Sequence, residues 1–169
     1  PGGIVTDKSI KVAGDEFTDN IKNYMKTRYN IAVGDNMAEK IKINVGSAMT
    51  ELEDPPPNFP VHGRDLMNGI PKEVIVTYKE IANSLNNSIE QIESAIMNAL
   101  FNTPAELSAD IYNTGLYLTG GGSMLRGLDK RIALKTKLPV YVAEDPLRAV
   151  ARGTGIALKN TDNYSFLIQ

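Results

Sequence analysis

The chain has 169 residues, no cysteine and a single histidine, and its formal net charge is −2. This length suits one domain, or one domain with a small inserted lobe, and the near-neutral charge argues against a nucleic-acid partner. The composition excludes disulfides, thiolate metal sites and multi-histidine metal sites, and no apolar run is long enough to cross a membrane.

The first part of the chain favours helices and loops. Residues 2–12 predict a hairpin, or a strand that enters a helical region. Apolar residues at three- and four-residue steps predict helices over residues 14–30 and 36–45. The predicted buried positions are Phe17, Ile21, Tyr24 and Met25 in the first helix, and Ala38, Ile41 and Val45 in the second. Four prolines within residues 51–60 predict an exposed loop, which a strand over residues 61–66 follows.

The second part of the chain predicts alternating strands and helices. A strand is predicted over residues 72–77, and a long amphipathic helix over residues 79–102. Pro104 suits the start of a shorter helix, and residues 138–142 predict another strand. This pattern is typical of an α/β protein in which helices cover a sheet.

A last helix is predicted to begin at Pro146, because proline is favoured in the first helical turn. Its predicted buried face consists of Leu147, Val150, Ala151, Thr154 and Leu158. Gly153 and Gly155 lie inside this helix, where each glycine costs about 1 kcal/mol relative to alanine. We therefore expect close backbone packing at these two positions.

A triple-glycine turn lies between a short apolar strand and a further helix. Leu116 and Leu118 suit a buried strand, and Ser123 is predicted to cap the helix that follows. The predicted buried face of that helix is Leu125, Leu128 and Ile132. Backbone N–H groups at such a turn can bind a polar ligand, although a simple tight connection would use the same residues. The glycine spacing matches neither the dinucleotide fingerprint nor the P-loop.

Several charged residues leave more than one interpretation open. Asn36 and Glu39 have the spacing of a capping box, while Glu39 and Lys42 are also an ordinary i,i+3 pair worth about 0.2–0.5 kcal/mol. A ligand contact is the alternative for both Glu39 and Lys42. The run Asp129, Lys130 and Arg131 is predicted to form a solvated helix face.

Residues 118–128, with the sequence LTGGGSMLRGL, resemble the adenosine motif of the actin-like ATPase superfamily. Within it they are most similar to the MreB family, the bacterial rod-shape actin homologues. Residues 142–155 resemble the second hinge helix of that fold. Further similarities lie at residues 10–14, 38–47 and 63–66, so the resemblance covers nearly the whole chain.

The resemblance implies an α/β, actin-like (ribonuclease-H-like) ATPase domain: a mixed sheet flanked by helices, with a smaller inserted α+β lobe. Residues 1–12 and 71–169 would form the main lobe, and residues 13–70 the inserted lobe. The chain would be the second half of a two-domain nucleotide clamp. In that family the phosphate loops and the water-activating residue precede this region, so the chain alone is expected not to hydrolyse ATP.

The same resemblance implies which residues contact ATP or ADP with Mg²⁺. The implied nucleotide-binding residues are Glu39, Lys42, Gly120, Gly121, Gly122, Ser123 and Met124. The implied hinge residues are Arg152, Gly153 and Gly155. The backbone of the three glycines would approach the flat base, and Met124 would pack on that base. The Glu39 carboxylate would accept hydrogen bonds from the ribose hydroxyls.

The implied function is that of an ATP-dependent cytoskeletal filament that directs cell shape and cell-wall synthesis. Its partners would be further copies of itself, joined head to tail, and membrane proteins of cell elongation. We expect a cytoplasmic location at the inner face of the cell membrane, with membrane contact only through the other half. The alternative is the second domain of a sugar or acetate kinase, or of a chaperone-type ATPase.

Overall fold

The computed structural model describes residues 4–12 and 14–159. Its helices are α1 (Gly14–Tyr29), α2 (Asp35–Val45), α3 (Tyr78–Phe101), α4 (Ser108–Thr114), α5 (Leu128–Thr136) and α6 (Pro146–Lys159). Its strands are β1 (Ile31–Ala32), β2 (Phe59–Asp65), β3 (Pro71–Val76), β4 (Leu116–Leu118) and β5 (Val140–Val142). The first three strands form an antiparallel sheet, and β4 and β5 pair in parallel in a second sheet. The α/β class is confirmed.

Helices α1 and α2 form where their apolar periodicity predicts them. Each buries one face and leaves its charged residues in solvent. The buried residues are Phe17, Ile21 and Met25 in α1, and Ala38, Ile41 and Val45 in α2. Tyr24 is only partly buried, and its hydroxyl donates to the Glu80 carboxylate on α3 at 3.2 Å.

Strand β2 begins earlier than the prolines predict. Pro60 lies inside the strand, opposite Ile75 of β3. This is possible because β1 reaches β2 only at Arg64 and Asp65, so β2 has a single neighbour at Pro60. A proline without an N–H is tolerated where a strand faces no partner on that side.

The long helix α3 connects the antiparallel sheet to the second half of the chain. It begins with a capping box, in which the Thr77 hydroxyl accepts from the Glu80 N–H and the Glu80 carboxylate accepts from the Thr77 N–H. Its buried side chains, among them Ile81, Leu85 and Ile89, belong to one core that also includes residues of α1, α2, β2, β3 and α5. The division into a main and an inserted lobe stays a prediction.

The predicted hairpin or strand over residues 2–12 is wrong for the part that the structure describes, and residues 2 and 3 lie outside it. Residues 4–12 form neither a strand nor a helix. No described strand pairs with this segment, so its alternating apolar residues lack a ladder of hydrogen bonds. Ile4 and Val5 are consequently exposed.

Helix α6 begins at Pro146 as predicted, but its predicted buried face is wrong. Leu147 is 66% exposed, Val150 59% and Leu158 66%. Apolar periodicity identifies the apolar face of a helix, but it does not guarantee that an element covers that face. The expected close packing at Gly153 and Gly155 is likewise absent from the described residues, where no atom lies within 4 Å of a Cβ built at either position.

Candidate functional site

The triple-glycine segment forms a compact turn that is held by its own backbone. Gly120 has φ +83° and ψ 169°, and its N–H donates to the carbonyl oxygen of Pro146 at 2.7 Å. Gly121–Met124 then make one 3-10 turn, in which the Ser123 N–H donates to the Gly120 oxygen at 3.2 Å. The turn is therefore fixed both internally and to the start of α6.

Ser123 does not cap the following helix, so that prediction is wrong. Its hydroxyl donates to the Gly120 carbonyl oxygen at 2.7 Å, and the residue is only 7% exposed. Helix α5 begins later, at Leu128, with Gly127 before it in a left-handed conformation. The intervening 3-10 turn uses the residues from which the helix was expected to start. The predicted apolar face of Leu125, Leu128 and Ile132 is nevertheless buried.

The outer side of the turn is open. No atom lies within 4 Å of a Cβ built at Gly120 or Gly122, and at Gly121 the nearest is the Leu147 Cδ2 at 3.3 Å. Met124 is 59% exposed. A flat ligand could therefore reach the backbone of the turn and contact the polarizable Met124 side chain.

Glu39 and Lys42 form an ion pair on α2, with Lys42 Nζ at 2.7 Å from Glu39 Oε2. The capping-box interpretation of Glu39 is wrong, because the residue before the helix is Gly34 and no side chain caps α2. Lys42 Nζ also donates to the Gly14 carbonyl oxygen and the Thr18 hydroxyl, each at 3.2 Å. These three partners match the three ammonium protons, so a ligand contact through this ammonium would have to displace one of them.

Arg126 joins the end of α2 to the segment that follows the glycine turn. Its Nη1 donates to the Ile43 carbonyl oxygen at 2.9 Å and to that of Gly46 at 3.4 Å. The backbone strengthens this connection, since the Ala48 N–H donates to the Arg126 carbonyl oxygen at 2.8 Å. Glu39 lies one helical turn before Ile43 in α2. These contacts join the end of α2 to the segment that follows the glycine turn.

The chemistry of this surface suits a polar ligand with a flat ring. It combines accessible backbone, a soft thioether side chain and a half-exposed carboxylate that can accept from hydroxyl groups. Among the described residues, no group of three or more His, Cys, Asp or Glu side chains could hold a metal ion. The role of this surface in ligand binding stays a prediction.

Two hollows lie elsewhere on the surface. The larger, of about 510 Å³, lies between residues 8–10 and α3, and the smaller, of about 300 Å³, lies beside Arg131. Neither is lined by the glycine turn, Glu39 or Lys42. The predicted site therefore lies outside both of these hollows.

The implied hinge residues lie on α6, whose first residue holds the glycine turn through the Pro146 carbonyl. Arg152 and Gly153 are exposed and Gly155 is partly exposed. Nothing in the described part of the chain contacts them in a way that distinguishes a hinge from an ordinary helix. Their role stays a prediction.

Sequence reasoning missed two arginines. Arg126 was not singled out, although it lies inside the glycine motif, two residues after Met124. Arg131 was predicted to be solvated, which is wrong: its Nε lies 2.8 Å from Glu93 Oε1, and their side chains are 18% and 9% exposed. Arg131 also donates to the Ala48 carbonyl and the Asn86 side chain. A buried partner on a distant helix leaves no local signal in the sequence.

No helix among the described residues has both the length and the apolar character needed to cross a lipid bilayer.

The chain is similar to proteins of one bacterial family. A family model described as MreB/Mbl protein matches residues 1–165. The cell shape-determining protein Mbl of Bacillus subtilis is 43% identical over 161 residues, which are 95% of this chain and 48% of the relative. The cell shape-determining protein MreB of Escherichia coli is 41% identical over 162 residues, which are 96% of this chain and 46% of the relative. The chain therefore spans about half the length of these relatives.

Solved structures show the same similarity in three dimensions. MreB5 of Spiroplasma citri has been solved bound to AMPPNP and bound to ADP. Each of these structures superimposes with a TM-score of 0.88 at 38% sequence identity, covering 95% of this chain and 48% of that one. The fold is therefore an α/β actin-like one.

Proposed function

The chain belongs to the MreB/Mbl family, and we propose that it is the nucleotide-binding half of an actin-like protein that forms ATP-dependent cytoskeletal filaments. These filaments would direct cell shape and cell-wall synthesis. The curated relatives are named for determining cell shape, and a similar solved structure holds AMPPNP or ADP. Those names favour the filament protein over the kinase or chaperone alternative.

The observation that carries this proposal is the open glycine turn, tied by Arg126 to the helix that bears Glu39. Adenine would lie against the backbone of Gly120, Gly121 and Gly122 and against Met124, and Glu39 would accept from the ribose hydroxyls. Ser123 would contribute through its backbone, because its hydroxyl is engaged within the turn. Lys42 would contribute chiefly by holding Glu39, because its ammonium already has three partners.

Mg²⁺ would accompany the nucleotide through its phosphates. The chain alone would hydrolyse ATP weakly or not at all, because the phosphate loops and the water-activating residue of this family would lie in the other half of the protein. The remaining half of the protein would enclose the nucleotide and supply hydrolysis. Arg152, Gly153 and Gly155 would lie at the hinge between the halves.

Filaments would grow by head-to-tail contact between identical subunits, since a heterologous contact of this kind propagates instead of closing. The protein would act in the cytoplasm at the inner face of the cell membrane. Membrane proteins of cell elongation would be its partners there, and any direct membrane contact would come through the other half.

The proposal is tested with the natural polypeptide that carries this chain, by titration with ATP and by sedimentation with and without ATP. Gly122→Ala adds one methyl group to the open side of the turn, where no atom of the protein is near. We expect this change to weaken ATP binding at least tenfold and to prevent ATP-dependent sedimentation. Gly34→Ala, which also adds a methyl group to open space but lies away from the turn, is the control. Unchanged ATP affinity in Gly122→Ala would refute the site.

A further inference from the structure

A residue of α1 completes the contacts that hold Glu39. The Thr18 hydroxyl oxygen lies 3.3 Å from Glu39 Oε2 and 3.2 Å from Lys42 Nζ. Thr18 is partly buried, and its side chain, like the Gly14 carbonyl, connects α1 to the ion pair on α2. The three side chains form a closed set of contacts between two helices.

Counting donors and acceptors fixes the direction of the hydrogen bond between Lys42 and Thr18. The Lys42 ammonium has no lone pair, so the Thr18 oxygen must accept from it. The Thr18 proton is then available to Glu39 Oε2 or to the Gly14 carbonyl oxygen at 3.1 Å. Gly14 already receives Lys42, whereas a carboxylate oxygen forms the stronger, charge-assisted bond.

The arrangement leaves one oxygen of Glu39 free. All hydrogen bonds recorded for this carboxylate in residues 4–12 and 14–159 end on Oε2, which receives Lys42 and Thr18. The Oε1 atom is therefore available to a ligand hydroxyl, on a side chain that is 48% exposed. Two donors on one oxygen restrict the rotation of the carboxylate and orient the other oxygen.

We propose that Thr18 is a positioning residue for the sugar of the bound nucleotide, because it orients the Glu39 carboxylate that accepts from the ribose hydroxyls. This inference rests on the proposed function. It predicts that Thr18 affects the recognition of ribose hydroxyl groups and leaves recognition of the base and phosphates unchanged. A role in helix packing alone would affect all nucleotides equally.

The experiment compares the affinities of ATP and 2′,3′-dideoxy-ATP in the natural polypeptide that carries this chain. In Thr18→Val we expect ATP to bind about three- to tenfold more weakly, which corresponds to roughly one hydrogen bond, and dideoxy-ATP to bind as in the wild type. Thr18→Ser keeps the hydroxyl and should restore ATP affinity. Thr27→Val is the matched control, because within the described part of the chain the Thr27 hydroxyl on the same helix bonds only to the backbone of its own helix.

The outcomes separate this inference from the proposed function. Equal weakening of both nucleotides in Thr18→Val, or no weakening of either, would overturn the positioning role while nucleotide binding stands. Equal affinity of the wild type for the two nucleotides would also overturn it, because Glu39 would then not contact the sugar. Failure of the wild type to bind either nucleotide would refute the proposed function itself. Thermal unfolding of each variant establishes that all of them are folded.

Discussion

Arg126 Nη1 donates a hydrogen bond to the carbonyl oxygen of Ile43 at 2.9 Å, across 83 positions of the chain. The last carbonyls of a helix lack partners within the helix, and a cation there also complements the helix dipole. This contact therefore stabilises the end of α2 and at the same time fixes the distance between α2 and the glycine turn.

Removing this guanidinium should affect ligand binding more than folding. Because Arg126 is exposed, we expect Arg126→Met to lower the free energy of unfolding by only about 0.5–1.5 kcal/mol. ATP affinity should fall further than this loss would suggest, because α2 and the turn are no longer held together. Urea denaturation and nucleotide titration measure the two effects. Arg148→Met is the control, since no ion pair or side-chain hydrogen bond is recorded for Arg148 among the described residues.

The buried pair of Arg131 and Glu93 makes a different prediction. Glu93→Gln removes the carboxylate charge from the partly buried Arg131 guanidinium, which still donates to Ala48 and Asn86, so we expect the free energy of unfolding to fall by about 1–3 kcal/mol. Replacing both residues by leucine should cost less than the single change, because no charge is left without a partner. Urea denaturation measures both variants.

The exposed pair of Lys130 and Glu53 provides the comparison for that experiment. Their side chains are 54% and 90% exposed, so solvent screens the pair and Glu53→Gln should change stability little. Equal effects of Glu53→Gln and Glu93→Gln would contradict the importance of burial.

Features that depend on residues close in sequence could be predicted, whereas features that depend on contacts between distant elements could not. Helices α1, α2 and α3 were predictable because Phe17, Ile41 and Leu85 belong to apolar stripes that burial in one core then confirmed. The position of Ser123 in a 3-10 turn was not predictable, because serine suits both a 3-10 turn and the start of a helix.

The exposure of α6 and the burial of Arg131 share one physical cause. Whether a face is covered depends on elements that are distant in sequence. Val150 has the right spacing for a core residue and remains in solvent, whereas Arg131 has a polar side chain and finds Glu93 on α3. The glycine site was recognisable from its motif, but its link through Arg126 became visible only in three dimensions.

Tyr29 and Glu80 predict how stability depends on alkaline pH. Burial, followed by the hydrogen bond to Glu80, raises the pKa of Tyr29 from 10.0 to about 12. A raised folded-state pKa means that the stabilisation is complete below the unfolded value and is lost as the pH rises through the folded value. The window is therefore pH 10.0 to about 12.

The test compares the wild type with Tyr29→Phe. We expect the difference in their free energies of unfolding to be constant below pH 10.0 and to shrink as the pH approaches about 12. Tyr112→Phe, at a tyrosine that is 68% exposed, is the control and should show no such trend. A difference that stays constant across the window would show that the Tyr29 phenol is not coupled to folding.

Two glycines with similar backbone angles allow the cost of backbone strain to be distinguished from the cost of steric crowding around an added Cβ. Gly120 has φ +83° and ψ 169°, and Gly115 has φ +80° and ψ −167°. Only glycine adopts this region readily, so alanine at either position should cost about 1–3 kcal/mol of stability.

At Gly120 no atom lies near the added Cβ, whereas at Gly115 the carbonyl oxygen of Pro139 would be only 2.5 Å away. That oxygen accepts the Leu116 N–H beside the β4–β5 pairing, so it cannot move without disturbing the sheet. We therefore expect Gly115→Ala to be clearly more destabilising than Gly120→Ala in urea denaturation, and equal losses would mean that backbone strain alone sets the cost.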